Sequence, residues 1–99
     1  MKHLIIVKFK ENVWHRESEA SRKMLADIRE IFDRTKQIEG VHTVNIYENM
    51  TPRPNRHDLM IEMEMDPAAL PVYDASAAHQ KWKAKYGEYI QTKTIFDYE

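Results

Sequence analysis

The side chain that most clearly suggests chemistry is His79, which follows Tyr73 by six positions in the chain. A stripe of aromatic residues continues from His79 at helical spacing, through Trp82 to Tyr86. An imidazole at the start of such a stripe is either packed in the core or placed to act as an acid–base group. The sequence leaves both interpretations open.

The predicted start of a helix bears on the chemistry of His79. Ser76 is predicted to cap a helix that begins at Ala77, so His79 is expected in its first turn. The positive end of the helix dipole and burial against Trp82 both disfavour imidazolium, and a neutral imidazole suits a general base. Tyr73 can donate a hydrogen bond to a carbonyl that becomes an enolate. Together His79 and Tyr73 are the minimum apparatus for proton abstraction beside a carbonyl.

Two further histidines are candidate substrate contacts. His3 begins the inward face of the first predicted strand, and His57 begins the inward face of the third. Each position is also compatible with the rim of the fold. A zinc site formed by His3, His57 and His79 is chemically conceivable because imidazole is a good zinc ligand, but no ligand spacing supports it. We therefore predict neither a metal nor a cofactor.

The composition excludes several classes of function. Fifteen Lys and Arg against sixteen Asp and Glu give a formal net charge of −1, so there is no electrostatic footprint for nucleic acid or an anionic membrane. No apolar run approaches the roughly 20 residues of a membrane span, and no signal peptide is predicted. Cysteine is absent, which excludes disulfides and thiolate chemistry. The expected location is cytoplasmic.

The hydrophobic pattern predicts one domain over residues 1–99. The pattern indicates strands at 2–10, 41–49, 57–65 and 92–98 and long helices at 16–37 and 77–91. Asp66 and Pro67 are expected to begin a short, irregular helix that contains Pro71. The order β-α-β-β-α-β predicts an α+β, ferredoxin-like fold, in which helices cover one face of a four-stranded antiparallel sheet.

The two faces of the predicted sheet differ in character. The face expected beneath the helices carries Ile5, Val7, Phe9, Leu59, Ile61 and Met63. The opposite face mixes apolar and charged side chains, namely Leu4, Ile6, Met60, Phe96, Tyr98, Lys8, Glu62 and Glu64. This second face is too apolar for water and too charged for a dry core. A second copy of the same sheet is the expected partner, giving a symmetric homodimer, and a half-wetted sheet is the alternative.

Several segments, in their order and spacing, resemble the stress-responsive α/β-barrel (Dabb) domain family of the dimeric α+β barrel superfamily. The matching segments are Lys2–Lys10, the Glu39-Gly-Val41 turn, Tyr47–Thr51, His57–Met65, the Tyr73 to His79 spacing and Ile95–Tyr98. The resemblance spans nearly the whole chain. It implies a homodimer whose two sheets form a barrel, with a small cavity between sheet and helices in each protomer.

The resemblance also implies a class of function. Some relatives are cofactor-independent enzymes, among them polyketide cyclases resembling olivetolic acid cyclase, which close a ring by aldol condensation. The implied function is binding of a small apolar or aromatic molecule, with cyclase-like proton abstraction by His79 while Tyr73 orients the carbonyl. A non-catalytic stress-responsive accessory protein and a cofactor-free monooxygenase are the alternatives. The expected ligand contacts are His3, Ile5, Val7, Met24, Ile28, His57, Leu59, Trp82 and Tyr86. The apolar and aromatic members of this set are equally candidates for core packing.

Two departures from the family pattern concern this site. The family usually has His-Pro-x-His before the last helix, whereas this chain has Ser76-Ala-Ala-His79. The cyclase branch also places a histidine on the third strand, where this chain has Leu59, with His57 one inward position earlier. Both departures argue against a reaction identical to that of the cyclases.

Overall fold

The computed structural model describes all residues from 1 to 99. Its elements are β1 (Lys2–Phe9), α1 (Glu19–Asp33), β2 (Val41–Glu48), β3 (Leu59–Met65), α2 (Ala69–Asp74), α3 (Ala77–Tyr86) and β4 (Ile90–Tyr98). The strands form one antiparallel sheet in the order β2-β3-β1-β4. This is the predicted ferredoxin-like arrangement, with α2 as an additional short helix. None of the helices combines the length and the apolar character that crossing a bilayer requires.

The helices cover one face of the sheet because that face carries the apolar side chains. Along β1 and β3 every second residue is buried. The six residues predicted to face the helices are at most 3% exposed, namely Ile5, Val7, Phe9, Leu59, Ile61 and Met63. The helices contribute the other side of this core through Leu25, Ile28, Ile31, Phe32, Trp82 and Tyr86. The predicted division of the sheet into two faces is therefore confirmed.

The opposite face of the sheet has no cover within the chain. Phe96 is 59% exposed and Tyr98 is 42% exposed on this face. Lys2 reaches across the strands to Glu62 and Glu64, with nitrogen–oxygen distances of 3.3 and 3.2 Å. Apolar and paired charged side chains thus lie together on an uncovered surface, which we call the outer face.

The long helices are shorter than the periodicity predicts. The Ser18 hydroxyl accepts the backbone N–H of Ser21, which starts α1 three residues later than expected. The helix tightens into a 3₁₀ turn over Arg34–Gln37, and Gly40, with a φ of 91°, turns the chain into β2. The last helix ends earlier than predicted because Ile90 pairs with Phe9 of β1. Residues whose spacing is helical therefore belong to β4.

Helix α2 begins at Ala69, two residues later than predicted. The carbonyl oxygen of Asp66 accepts the N–H of Ala69, while the carboxylate of Asp66 lies 2.9 Å from Nε2 of His42. The aspartate side chain is thus engaged elsewhere and does not cap the helix. Pro71 is the third residue of α2, where a backbone N–H has no partner within the helix, so the proline removes no helical hydrogen bond.

Candidate functional site

A cavity of about 290 Å³ lies between α2, α3 and the helix-facing side of β1 and β4. Its lining residues are His3, Ile5, Leu70, Tyr73, Asp74, His79, Trp82, Lys93, Ile95 and Asp97. A larger groove of about 440 Å³ beside α1 and β2 contains no histidine. The titratable side chains singled out by the sequence therefore concentrate in the smaller cavity, which we call the His79 cavity.

The imidazole of His79 is held in one orientation. Ser76 caps α3 as predicted, because its hydroxyl accepts the backbone N–H of His79 at 3.2 Å. The ring nitrogen Nδ1 of His79 lies 2.8 Å from the carbonyl oxygen of Asp74. A carbonyl oxygen can only accept, so Nδ1 carries the hydrogen, and the lone pair of the neutral ring is on Nε2. Nε2 forms no hydrogen bond within the chain and is left as a free acceptor.

Tyr73 lies between the two histidines of the cavity. Its ring centroid is 4.8 Å from that of His79 and 5.7 Å from that of His3. The side chain is 1% exposed, and its hydroxyl is buried without a hydrogen-bond partner. Burial, with a smaller contribution from the charge of Asp74, raises the pKa of Tyr73 well above its usual value of 10.0. The phenol therefore keeps its proton at physiological pH and is a hydrogen-bond donor without an acceptor in the chain.

A second oriented imidazole comes from the pairing of β1 with β4. The register places His3 opposite Asp97, and Nδ1 of His3 forms a hydrogen bond with the Asp97 carboxylate. His3 is only 5% exposed. A carboxylate without a proton accepts, so the hydrogen of this contact is on Nδ1 of His3, and Nε2 has no hydrogen-bond partner in the chain, as in His79. Asp97 was not among the predicted site residues, because no turn joins the first and last strands and fixes the register that brings it to His3.

Six of the nine expected ligand contacts do not line this cavity, namely Val7, Met24, Ile28, His57, Leu59 and Tyr86. Val7, Ile28 and Leu59 are at most 2% exposed, so they serve as core packing between sheet and helices. The Tyr86 hydroxyl is committed to a hydrogen bond with Asp27 of α1. His3, Ile5 and Trp82 are the expected contacts that the structure brings together around His79.

His57 lies apart from the His79 cavity. In the antiparallel pairing of β1 with β3, His3 is opposite Met63, whereas His57 precedes Leu59 at the other end of the strand. The Nε2 atom of His57 is buried without a partner, beside a separate groove at the β2–β3 end of the sheet. The three histidines therefore do not form a cluster, and the structure contains no group of three side chains positioned to bind one metal ion.

Comparison with solved structures finds the same fold. A dimeric protein of unknown function and ferredoxin-like fold from Bacteroides fragilis has a TM-score of 0.79 at 17% identity, over 99% of this chain and 93% of that one. A Dabb family protein from Mesorhizobium loti has a TM-score of 0.73 at 18% identity, over 99% and 93% of the two chains. A hydroxynitrile lyase from Passiflora edulis has a TM-score of 0.72 at 12% identity, over 98% and 89%. At these identities the likeness concerns the fold alone.

Comparison with curated protein sequences finds no match. The family model described as the stress responsive A/B barrel domain, Dabb, matches residues 1–99. This agrees with the resemblance carried by the sequence segments and with the ferredoxin-like sheet. Because the match runs from the first residue to the last, the protein belongs to the stress responsive A/B barrel domain (Dabb) family.

Proposed function

We propose that the His79 cavity binds a small apolar or aromatic carbonyl compound and abstracts a proton beside the carbonyl without a cofactor. In this proposal His79 is the base and Tyr73 orients the carbonyl. The observation that carries it is the pairing of a free imidazole acceptor with an unpartnered phenol donor, whose ring centroids are 4.8 Å apart. Such a pair is what an enolate-forming reaction requires.

The proposed step moves one proton. The Nε2 lone pair of His79 takes the proton from the carbon next to the carbonyl, and the electron pair of the broken C–H bond moves onto the carbonyl oxygen. The Tyr73 hydroxyl donates a hydrogen bond to that oxygen as its negative charge grows. A buried donor without a partner is costly in the free protein, so its hydrogen bond to the enolate is formed without breaking another one inside the chain. His3, held by Asp97, is proposed as a polar contact to the same ligand.

The fold carries an enzyme in another protein, since one structural neighbour is a hydroxynitrile lyase. The departure from the family pattern at Ser76 and the departure from the cyclase branch at Leu59 leave the chain without the two corresponding histidines. The proposal is therefore limited to proton abstraction next to a carbonyl and does not extend to a particular cyclisation.

Hydrogen–deuterium exchange tests the step directly. Ethyl benzoylacetate in deuterated buffer loses the NMR signal of its acidic C–H protons as they exchange, and the protein should accelerate this loss above the buffer rate. The variant His79→Gln should lower the acceleration by about 100-fold or more, because general-base catalysis contributes a factor of that order. The matched control is His15→Gln, which changes an exposed histidine outside the cavity and should leave the rate unchanged.

The two alternatives give different results in the same preparation. A non-catalytic accessory protein would be stabilised by ligands in a thermal-shift assay but would leave the exchange rate at the buffer value. A cofactor-free monooxygenase would consume dioxygen with the substrate present. Equal exchange rates for wild type and His79→Gln would end the assignment of His79 as the base.

We also propose that the protein forms a homodimer through its outer face. Support comes from the exposed aromatic side chains there and from structural neighbours that are described as dimeric. The charge-introducing variant Phe96→Lys should convert the dimer to a monomer in light scattering coupled to size-exclusion chromatography. Val72→Lys alters a similarly exposed apolar residue on the helical side and should leave the dimer intact. The cytoplasmic location stays a prediction.

A further inference from the structure

The charged side chains of the His79 cavity are separated by sign along its length. Alternate residues of β4 face the helices, in the order Lys93, Ile95 and Asp97. At a rise of about 3.3 Å per residue, the backbone positions of Lys93 and Asp97 are about 13 Å apart. The chain reverses between α3 and β4, so His79 at the start of α3 lies at the Asp97 end. One end of the cavity therefore holds the proposed proton-transfer groups, and the other end holds the lysine.

The middle of the cavity is apolar. Ile5 and Ile95 are paired across β1 and β4 and form part of its floor, and the fully buried Trp82 forms part of the wall above them. These side chains offer no hydrogen bond to a ligand along the floor. A molecule that spans the cavity therefore needs an apolar central part.

Lys93 is the only lysine or arginine that lines the cavity, and its ammonium group has no partner in the chain. It forms neither an ion pair nor a hydrogen bond within the chain, in contrast to Lys2, Lys36 and Lys85. At the other end the Asp97 carboxylate is engaged by His3. The cavity thus presents an uncompensated positive charge at one end only.

The carboxylates give the cavity a direction. Asp74 and Asp97 both lie at the end that carries His79 and Tyr73, where they repel an anionic group. An anionic ligand therefore lowers its energy by placing its charge at Lys93 and its uncharged end at the histidines. A neutral ligand has no such preference for one of the two orientations.

We infer that the ligand of this site is an oxo acid, whose carboxylate pairs with Lys93 while its carbonyl meets Tyr73 and His79. The inference rests on the binding half of the proposed function and names its substrate class. The sorted charges define the order of groups in the ligand: carboxylate, apolar segment, carbonyl. A single ammonium group matches one carboxylate charge, and the small cavity volume restricts the ligand to a compact molecule.

A matched pair of probes tests this inference. 4-Oxo-4-phenylbutanoate carries a carboxylate, an aromatic ring and a carbonyl, and its methyl ester differs by the loss of the charge. Titration calorimetry at low salt should show the acid binding about two- to fivefold more tightly than the ester, the upper part of the range expected for an exposed ion pair. Raising the salt concentration to about 0.5 M should reduce this ratio, because salt screens exposed charges.

Variants at Lys93 locate the charge that is responsible. Lys93→Met should bring the ratio of acid to ester affinity close to one, and Lys93→Arg should keep the preference because the positive charge remains. The control Lys83→Met removes a lysine of α3 that does not line the cavity and forms no ion pair, and it should leave the ratio unchanged. Circular dichroism of each variant checks that the fold is retained.

Three results would contradict binding of an oxo acid at Lys93. Equal affinity for acid and ester in the wild type, no binding of either, or a preference that survives in Lys93→Met overturns the inference. The catalytic proposal is separable from it. Accelerated exchange without a carboxylate preference removes only the oxo-acid assignment. A carboxylate preference without accelerated exchange removes only the catalytic step and leaves the oxo acid as a bound ligand.

Discussion

Replacing Tyr73 with phenylalanine should stabilise the protein. The Tyr73 hydroxyl is buried and has no hydrogen-bond partner, and its ring is 1% exposed. Protein mutational data place the cost of burying such a hydroxyl at about 1–3 kcal/mol. The Tyr73→Phe variant keeps the ring and removes only this oxygen. The free energy of unfolding should therefore rise by about 1 kcal/mol, which raises Tm by roughly 4–8 °C for a domain of this size.

The same substitution at Tyr86 should have the opposite effect. The Tyr86 hydroxyl donates to the Asp27 carboxylate, and the tyrosine is 6% exposed. A buried hydrogen bond to a charged group contributes about 1.5–3 kcal/mol to the free energy of unfolding. Because the Asp27 side chain is 26% exposed, we expect about 1 kcal/mol here. Urea denaturation of both variants, with the m-value checked for constancy, provides the comparison. The two changes delete the same atom type from the same residue type.

A decrease in stability for Tyr73→Phe of more than about 0.5 kcal/mol would refute the reasoning, because it would mean that the hydroxyl is hydrogen-bonded in solution. The proposed function adds a second readout. The stabilised Tyr73→Phe protein should lose its acceleration of deuterium exchange, since the enolate no longer receives a hydrogen bond. Higher stability together with lower activity is the combination expected when an unpaired polar group is kept for a ligand.

Three further measurements probe the fold around the site. Gly40→Ala should destabilise the protein by more than about 1 kcal/mol in urea denaturation, because φ is +91° and the new Cβ would lie 3.0 Å from a neighbouring alanine. Gly87→Ala should instead stabilise the protein by about 0.4–1 kcal/mol, because its new Cβ meets nothing within 4 Å. Ser76→Ala should lower the unfolding free energy by about 1 kcal/mol in thermal denaturation through loss of the α3 cap. Hydrogen bonds from a lysine and a tyrosine of α3 lower the pKa of Asp27 below its usual 3.8. The ionised Asp27 carboxylate therefore stabilises the fold above pH 3.8, and this contribution is lost as the pH falls through the lowered pKa. In an acid titration, Asp27→Asn should lose less stability than the wild type.

The fold was predictable because its determinants are local. Alternation along two strands assigned the buried face of the sheet, and the serine at position 76 together with the glycine at position 40 marked where a helix starts and where the chain turns. The ends of the helices were less predictable. Residues 87–91 have helical spacing, yet Ile90 gains a strand partner in β1, and that long-range pairing ends the helix early.

The site was predictable only where its residues are close in the chain. Tyr73 and His79 are six positions apart on consecutive helices, so the sequence could place them together. His3 and Asp97 are 94 positions apart, and no turn connects their strands, so their contact depends on a register that no local pattern encodes. His57 shows the converse limit, because alternation assigns a residue to a face of the sheet but does not say at which end of the sheet it lies.

Ser76, which departs from the family pattern, holds Tyr73 and His79 in place by two hydrogen bonds. Its hydroxyl accepts the N–H of His79 and donates to the carbonyl oxygen of Tyr73 at 2.6 Å, so a single side chain links the backbones of His79 and Tyr73. A histidine in its place would add a third imidazole but would lose the short hydroxyl that caps the helix. The imidazoles that line the cavity beside Tyr73 are therefore two, His79 and the His3 held by Asp97. Hydrogen bonds at Nδ1 fix both rings, so the same atom, Nε2, of each ring is without a partner in the chain, and the proposed ligand contacts require no rotation of either ring.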